Sequence, residues 1–338
     1  MKPSTRSSLE EKTKGRAVVQ EQKQLLIRRL KSDQIIRYIP LILFAIVIII
    51  LGLIVPHFLT IRNSINVLRQ ASALGFMAIG ITAVLIGGGI DLSIPSLMAL
   101  GGILGTMYMR GGGNPILGGL IMIAVCTFGG MINGYAVAYL KMIPFIVTLS
   151  MMYIAMGASV WLTREVSVAG LPSTFIDTIM GNIWIIPLPV IFLFIVTAVV
   201  TFLMRSNLYG RWLYAVGSNP ETARSLGVPK DRIIFGTYVF SGFFAGLAAI
   251  ITTARLVSAS SRMGAEGVVL NVIASAVVGG VSIYGGVGSP LGAVIGAVLI
   301  TLIGNIMNLM RVTYYMTLVT KGCVLIAVIA FDSLYRRR

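Results

Sequence analysis

Long apolar runs without a single charged residue dominate the chain. They cover 38–56, 70–90, 111–140, 142–163, 178–204, 233–254 and 267–310. About 17–25 such residues are enough for a helix to cross the hydrocarbon of a bilayer, and the last run is long enough for two crossings. The pattern predicts an all-α fold, in the form of a polytopic membrane helical bundle.

We predict about ten transmembrane segments in this bundle. Their approximate bounds are 38–56, 69–88, 93–109, 115–139, 143–162, 183–204, 233–253, 268–283, 290–310 and 314–333. Two of them are short and adjoin glycine-rich stretches, and these either span the membrane or are re-entrant. An even number of spans places both termini on the same side.

The composition agrees with a membrane protein. Hydrophobic residues make up 57% of the 338 residues, charged residues 11%, and the mean hydropathy is +0.92. A soluble protein of this length has about a quarter of its residues charged. The polar surface is therefore too small to cover a globule in water.

The net charge of +16 comes mainly from the loops and termini. Ten of the 27 Lys and Arg residues lie in the first 37 positions, and no aromatic interleaving accompanies them. We interpret 1–37 as a basic cytoplasmic tail beside anionic membrane lipid, not as a nucleic-acid-binding segment. The transmembrane domain then covers 38–335 and includes a cytoplasmic loop at 205–232.

The distribution of basic residues predicts the orientation. With the N-terminus inside, the cytoplasmic loops and tails hold 19 of the 27 basic residues and the outside connections hold 7. Because positive residues concentrate on the cytoplasmic side, the count favours cytoplasmic N- and C-termini.

Two glycine clusters interrupt the apolar runs at comparable places. Gly87-Gly88-Gly89 precedes Asp91 and Ser93, and Gly279-Gly280 precedes Gly285-Gly286. Glycine breaks in two halves of a transporter indicate broken helices that line a pathway. Two ordinary cytoplasmic turns explain the same pattern. In the first interpretation Gly88, Gly89, Gly285 and Gly286 form a translocation gate together with Asp91 and Ser93.

Asp91 is the only acid in the apolar part of the chain before Asp332. An intramembrane carboxylate is costly and is a functional candidate by default. Asp is also a favoured N-cap, and a helix is expected to begin just after Asp91. Capping, substrate contact and proton relay are the three roles open to it.

A short cytoplasmic helix is predicted at about 220–226. Asn219 is a suitable N-cap, Pro220 and Glu221 suit the first turn, and Gly227 suits the C-terminal end. Ala223 and Leu226 are expected to share one face. A helix this short needs packing to be stable, either on a partner or on its own membrane domain.

The chain lacks the residues for chemistry of its own. It contains no Gly-Lys dipeptide, and so no phosphate-binding G-x-x-x-x-G-K-[ST] loop. One histidine and two cysteines offer no metal-ligand spacing. We expect a protein that is not an enzyme and that binds neither metal nor cofactor, so any ATP is used by a partner subunit.

Several linked motifs resemble the permeases of ribose, xylose, arabinose, galactose and autoinducer-2 importers of the ATP-binding-cassette (ABC) class. They span about 40–335 in the order and spacing of that family. The matching stretches are 88–93, 133–134 with 141–149, 210–227, 279–282 with 285–289, and 321–322.

The resemblance implies a permease that pairs with a second copy or a paralogue, with a type II importer-like fold. It would receive a monosaccharide or polyol from a periplasmic or surface-anchored binding protein, and couple to a cytoplasmic ABC ATPase, in the bacterial inner membrane. The coupling residues would be Gly210, Arg211, Gly217, Asn219, Glu221, Ala223, Leu226 and Gly227.

The chain departs from the family pattern at two places, ahead of the second glycine cluster and just after the first. The family commonly has Glu-Leu-Asp where this chain has Val269-Leu270-Asn271, and Val-Gly-Ser where it has Ile94-Pro95-Ser96. The identity of the substrate is therefore open.

Four residues are candidates for the translocation pathway, and helix packing explains them equally well. They are Asn133, Phe145, Thr148 and Asn271.

The first rival function is an ATP-independent secondary carrier that uses Asp91 for ion coupling, and the second is a membrane scaffold that transports nothing.

Overall fold

The structure is a computed structural model that describes residues 46, 49–50 and 52–336. The predicted basic tail at 1–37 lies outside these residues, as does most of the first predicted segment at 38–56. Arg337 and Arg338 lie outside them too.

Most of the described residues are helical, including residues 52–54 ahead of the first named helix. The helices are α1 (Ile61–Ile86), α2 (Ile94–Arg110), α3 (Pro115–Ala138), α4 (Pro144–Thr163), α5 (Ser173–Met180), α6 (Leu188–Ser206), α7 (Leu208–Ser218), α8 (Pro220–Ser225), α9 (Lys230–Leu256), α10 (Glu266–Val278), α11 (Pro290–Leu309) and α12 (Tyr314–Arg336). A 3₁₀ turn, Ser261–Gly264, precedes α10.

Four two-residue strands complete the secondary structure. They are β1 (Val168–Ala169), β2 (Asn182–Ile183), β3 (Ile186–Pro187) and β4 (Ser258–Ala259). β1 pairs antiparallel with β4, and β2 pairs antiparallel with β3.

Seven helical stretches among the described residues are long and apolar enough to cross a membrane: α1, α3, α4, α6, α9, α11 and the 3₁₀ turn continued by α10. α2 has 17 residues. At about 1.5 Å per residue it is shorter than the roughly 30 Å of bilayer hydrocarbon. The chain is thus an all-α polytopic membrane protein, and ten spans remain a prediction.

α1 and α9 form the centre of the bundle. α9 packs against α3 and α1, and α11 packs against α1 from another side. The most apolar stretch of α1 is 89% buried, whereas the corresponding stretches of α3, α4 and α6 are each 33% buried. Because the outer helices are apolar all round, their exposed faces suit lipid or a second membrane subunit.

Loops that the charge count assigns to one side lie together. At one end Lys141 forms an ion pair with Asp231, and Gly285 approaches Gly88. At the other end β1 pairs with β4, and Arg69 donates a hydrogen bond of 2.9 Å to Asn182. We call the first the glycine end and the second the opposite end.

Candidate functional site

Both glycine clusters end their helices in the same way. After α1, the Gly88 amide donates to the Leu85 carbonyl and the Gly89 amide to the Val84 carbonyl. After α10, Gly280 donates to Val277, and Val281 donates to Ala276. Gly88 and Gly280 have φ of +79° and +84°. These are Schellman ends, in which a left-handed residue, usually glycine, reverses the chain.

The two glycine turns meet each other and the end of α7. The Gly286 amide donates a hydrogen bond of 2.8 Å to the Ile86 carbonyl, which is the last residue of α1. A Cβ on Gly217 would overlap that carbonyl oxygen and lie 2.7 Å from the Gly286 amide nitrogen. We call Gly88, Gly217, Gly285 and Gly286 the glycine junction.

α7 is held in this junction by polar contacts as well as by close packing. The Tyr214 hydroxyl donates a hydrogen bond of 2.8 Å to the Gly288 carbonyl, within the second glycine cluster. Leu213 is fully buried, and its side chain lies beside Gly87. A movement of α7 along its axis must therefore displace both glycine turns.

Asp91 lies in a closed, buried cluster next to the junction. Its Oδ1 accepts hydrogen bonds from the Ser93 amide (2.9 Å) and hydroxyl (2.6 Å), and its Oδ2 accepts one from Ser241 (2.7 Å). The side chain is 1% exposed. Acceptance from an amide two residues on is the Asx-turn arrangement.

The expectation that Asp91 caps a helix is wrong in its detail. α2 begins at Ile94, so Ser93 occupies the N-cap position and Asp91 lies two residues before it. Leu92 and Ser93 lie between Asp91 and the first residue of the helix. The Asp91 carboxylate therefore stabilises the turn that precedes the helix.

Two of the four candidate pathway residues reach this cluster. The Asn133 amide nitrogen donates to the Ser93 hydroxyl at 2.8 Å, and the Thr148 hydroxyl lies 3.4 Å from the Ile90 carbonyl. Both side chains are fully buried. Their contacts are those of a structural shell around the turn, and contact with a substrate stays a prediction.

The other two candidates lie elsewhere. Phe145 is 50% exposed on the outer surface of α4. Asn271 lines a cavity towards the opposite end, between the ends of several helices. The structure does not bring either residue to the Asp91 cluster.

The short helix α8 has the predicted termini. Asn219 accepts hydrogen bonds from the Glu221 and Thr222 amides, at 3.1 and 3.0 Å. At the other end the Gly227 amide donates to Arg224, and the Val228 amide donates to Ala223. The local signals for capping and termination are confirmed.

The face predicted for Ala223 and Leu226 is buried at the first residue and exposed at the second. Ala223 is 2% exposed, whereas Leu226 is 78% exposed. Leu226 is the C-cap residue, beyond the last regular turn. Arg211 and Glu221 are exposed, and Gly210 packs closely against the Met204 backbone.

Sequence reasoning missed two parts of the site. The first is α7 itself, because Gly210 and Gly217 lie within the segment 205–232 that is predicted to be a loop. The second is the α9 side of the cluster, where Ser241 contacts Asp91 and the Tyr238 hydroxyl lies 3.3 Å from the Ile90 carbonyl. Polar residues in the middle of an apolar run were the available signal.

A bundle of apolar helices around a buried polar turn, with a small helical element docked on the helix ends, defines a polytopic membrane protein. The chain belongs to the family "Branched-chain amino acid transport system / permease component", which matches residues 63–329. The importer-permease resemblance seen in the sequence is thereby confirmed.

Its relatives include permeases of several sugar systems. The D-allose transport system permease protein of Escherichia coli (strain K12) is 34% identical over 300 residues, which cover 88% of this chain and 92% of the relative. The ribose import permease protein of Bacillus subtilis (strain 168) is 32% identical over 315 residues, 92% of this chain and 98% of the relative. No solved structure gives a significant match.

Proposed function

We propose that this chain is the membrane permease subunit of an ABC importer that translocates a monosaccharide or polyol. The relatives that carry sugar names cover most of this chain, which supports a sugar over an amino acid as cargo. The same similarity favours an ABC permease over the ATP-independent carrier. A separate cytoplasmic ATPase supplies the energy, and an extracytoplasmic binding protein delivers the substrate.

The observation that carries the proposal is the glycine junction. The loop that contains α7 and α8 carries more basic residues than any other connection between the predicted spans, which places it in the cytoplasm by the charge rule. One end of this loop touches both glycine turns, while α8 presents exposed residues outward. An ATPase that moves α8 would pull on α7, and α7 would displace the ends of α1 and α10.

The gate in this mechanism is the pair of glycine turns with Asp91 and Ser93 behind the first. The two turns contact each other through backbone carbonyls and amides and not through side chains. A small displacement of either turn therefore changes the hydrogen bonds between them directly. Irregular backbone at membrane depth is stable only where protein buries it or where it lines a cavity. The Asp91 cluster supplies that burial for the first turn.

Ten spans, with both termini in the cytoplasm and the basic tail along the inner leaflet, complete the proposed arrangement. The exposed apolar faces of α3 and α4 include Phe128 and Trp161, which are 64% and 78% exposed. A second permease copy or a paralogue covers part of such faces in the assembled pore, and lipid covers the rest.

We expect Leu226→Asp to separate the permease from its ATPase without unfolding it. Leu226 is 78% exposed, so its replacement costs the fold little. A charged residue at the centre of an apolar contact weakens it by about 2 kcal/mol or more, which is roughly thirtyfold in affinity. Co-purification of the ATPase and ATP-dependent sugar uptake should both fall.

Leu226→Met is the matched control, because it keeps the size and apolarity of the side chain. It should retain the ATPase and the uptake. Normal ATP-driven transport by Leu226→Asp would contradict the role of α8 as the docking element.

A further inference from the structure

A second polar site lies towards the opposite end of the bundle, away from the glycine junction. It is a cavity of about 220 Å³ between α1, α9, α10, α11 and α12. Its polar lining consists of Gln70, Thr252, Arg255, Arg262, Asn271, Thr301 and Lys321. The volume suits one small molecule, since drug-sized ligands occupy cavities of about 300–1,000 Å³.

Three of these seven side chains are cations, and they come from separate elements. Arg255 lies in the last turn of α9, Arg262 lies in the 3₁₀ turn, and Lys321 lies in α12. The Lys321 amine reaches towards Gly304, where a Cβ would lie 3.6 Å from it, so the amine points at the cavity wall formed by α11.

The cations have no carboxylate partner among the side chains that the structure describes. Within that part of the chain, the ion pair is Lys141–Asp231 at the glycine end, and no Asp or Glu lines the cavity. Arg255 Nε is buried and donates a hydrogen bond to none of the described residues. Three cations grouped in one partly dehydrated pocket attract an anionic group.

Neutral sugars and anionic sugars make different demands on such a pocket. Sugar hydroxyls need acceptors as well as donors, yet arginine and lysine are donors only. A carboxylate or a phosphate accepts from them through short charge-assisted bonds, and a guanidinium binds either group in a bidentate manner. Four uncharged polar side chains remain to pair with the hydroxyls: Gln70, Thr252, Asn271 and Thr301.

We infer that this cavity binds a small sugar that carries an oxyanion, either a carboxylate or a phosphate. The inference rests on the proposed importer function and specifies its cargo. Arg255, Arg262 and Lys321 hold the anionic group, while the amide and hydroxyl side chains hold the sugar ring.

The test measures equilibrium binding to the purified full-length chain in nanodiscs of neutral phosphatidylcholine, at one ionic strength. Two matched pairs of radiolabelled probes are used: D-glucuronate against D-glucose, and ribose phosphate against ribose. At least one anionic probe should bind about tenfold or more tightly than its neutral partner. The pair that shows the difference identifies the oxyanion.

Two cavity variants and one control assign the binding to this site. Arg262→Gln removes one cation from an exposed position, and Asn271→Asp adds a negative charge with almost no change of shape. Each should weaken anion binding by about tenfold or more. Arg164→Gln, at an exposed position outside the cavity, should leave it unchanged.

Two results would overturn the inference: neutral probes that bind as tightly as anionic ones, or no anion binding at all. Anion binding that both cavity variants leave intact would overturn it as well. ATP-driven uptake of a neutral sugar without anion binding would refute the anionic cargo but leave the importer function standing. Anion binding by a chain that does not bind an ATPase would refute the importer function but leave the anion site standing.

Discussion

Gly217→Ala should abolish transport and lower the yield of folded protein sharply. The new Cβ would overlap the Ile86 carbonyl and lie 2.7 Å from the Gly286 amide nitrogen. Both neighbours are backbone atoms and cannot rotate away, so α7 must withdraw from the junction. We expect a loss of about 3 kcal/mol or more, at the upper end of the cost of overpacking. Thermal unfolding in detergent and ATP-dependent uptake measure the two effects.

Gly157→Ala is the matched control for this substitution. Gly157 lies in the middle of α4, and nothing lies within 4 Å of the position of an added Cβ. The intrinsic helix preference of alanine favours this variant by about 1 kcal/mol or less. It should fold and transport normally. A Gly217→Ala protein with unchanged stability and uptake would show that α7 is not wedged between the glycine turns.

Asp91→Leu should leave little folded protein, whereas Asp91→Asn should fold and transport. Leucine removes the acceptor for the Ser93 amide and hydroxyl and for the Ser241 hydroxyl. Each buried donor left without a partner costs about 1–3 kcal/mol, so the total is roughly 3 kcal/mol or more. Asparagine keeps one oxygen at the Ser93 side, and its amide donates to Ser241 after that hydroxyl rotates.

The comparison of the two variants decides between bracing and coupling. If Asp91 braces the turn, folded yield and uptake follow hydrogen bonding and are insensitive to the loss of charge. If Asp91 couples transport to an ion, Asp91→Asn folds normally and yet loses uptake driven by a proton or sodium gradient in vesicles without ATPase. That second outcome would restore the secondary carrier as the function.

Local backbone features were readable from the sequence because their partners lie within one helical turn or two. The α8 cap joins Asn219 to the next three residues, and its end joins Gly227 and Val228 to Arg224 and Ala223. The helix stops at Ile86 and Val278 depend likewise on the glycines that follow them. Capping and left-handed glycine are short-range effects, so sequence alone predicted them.

The direction in which each side chain points was not readable in the same way. Ala223 is buried and Leu226 is exposed, although both are three residues apart on a short helix. Ser241 meets Asp91 from α9, 150 residues away. Helices that are apolar on every side carry no pattern that states which face turns inward, and so cannot reveal such partners.

Charge-free runs by themselves determined that this protein lies in the membrane as a helical bundle, since runs of this length form spanning helices that satisfy their own backbone polar groups in lipid. The glycine and cap residues determined where several helices end. Only the tertiary structure decided that two glycine turns and α7 meet at one junction, and that three cations share a cavity. The physical reason is that these contacts depend on the rotation and crossing of packed helices, which non-local packing sets.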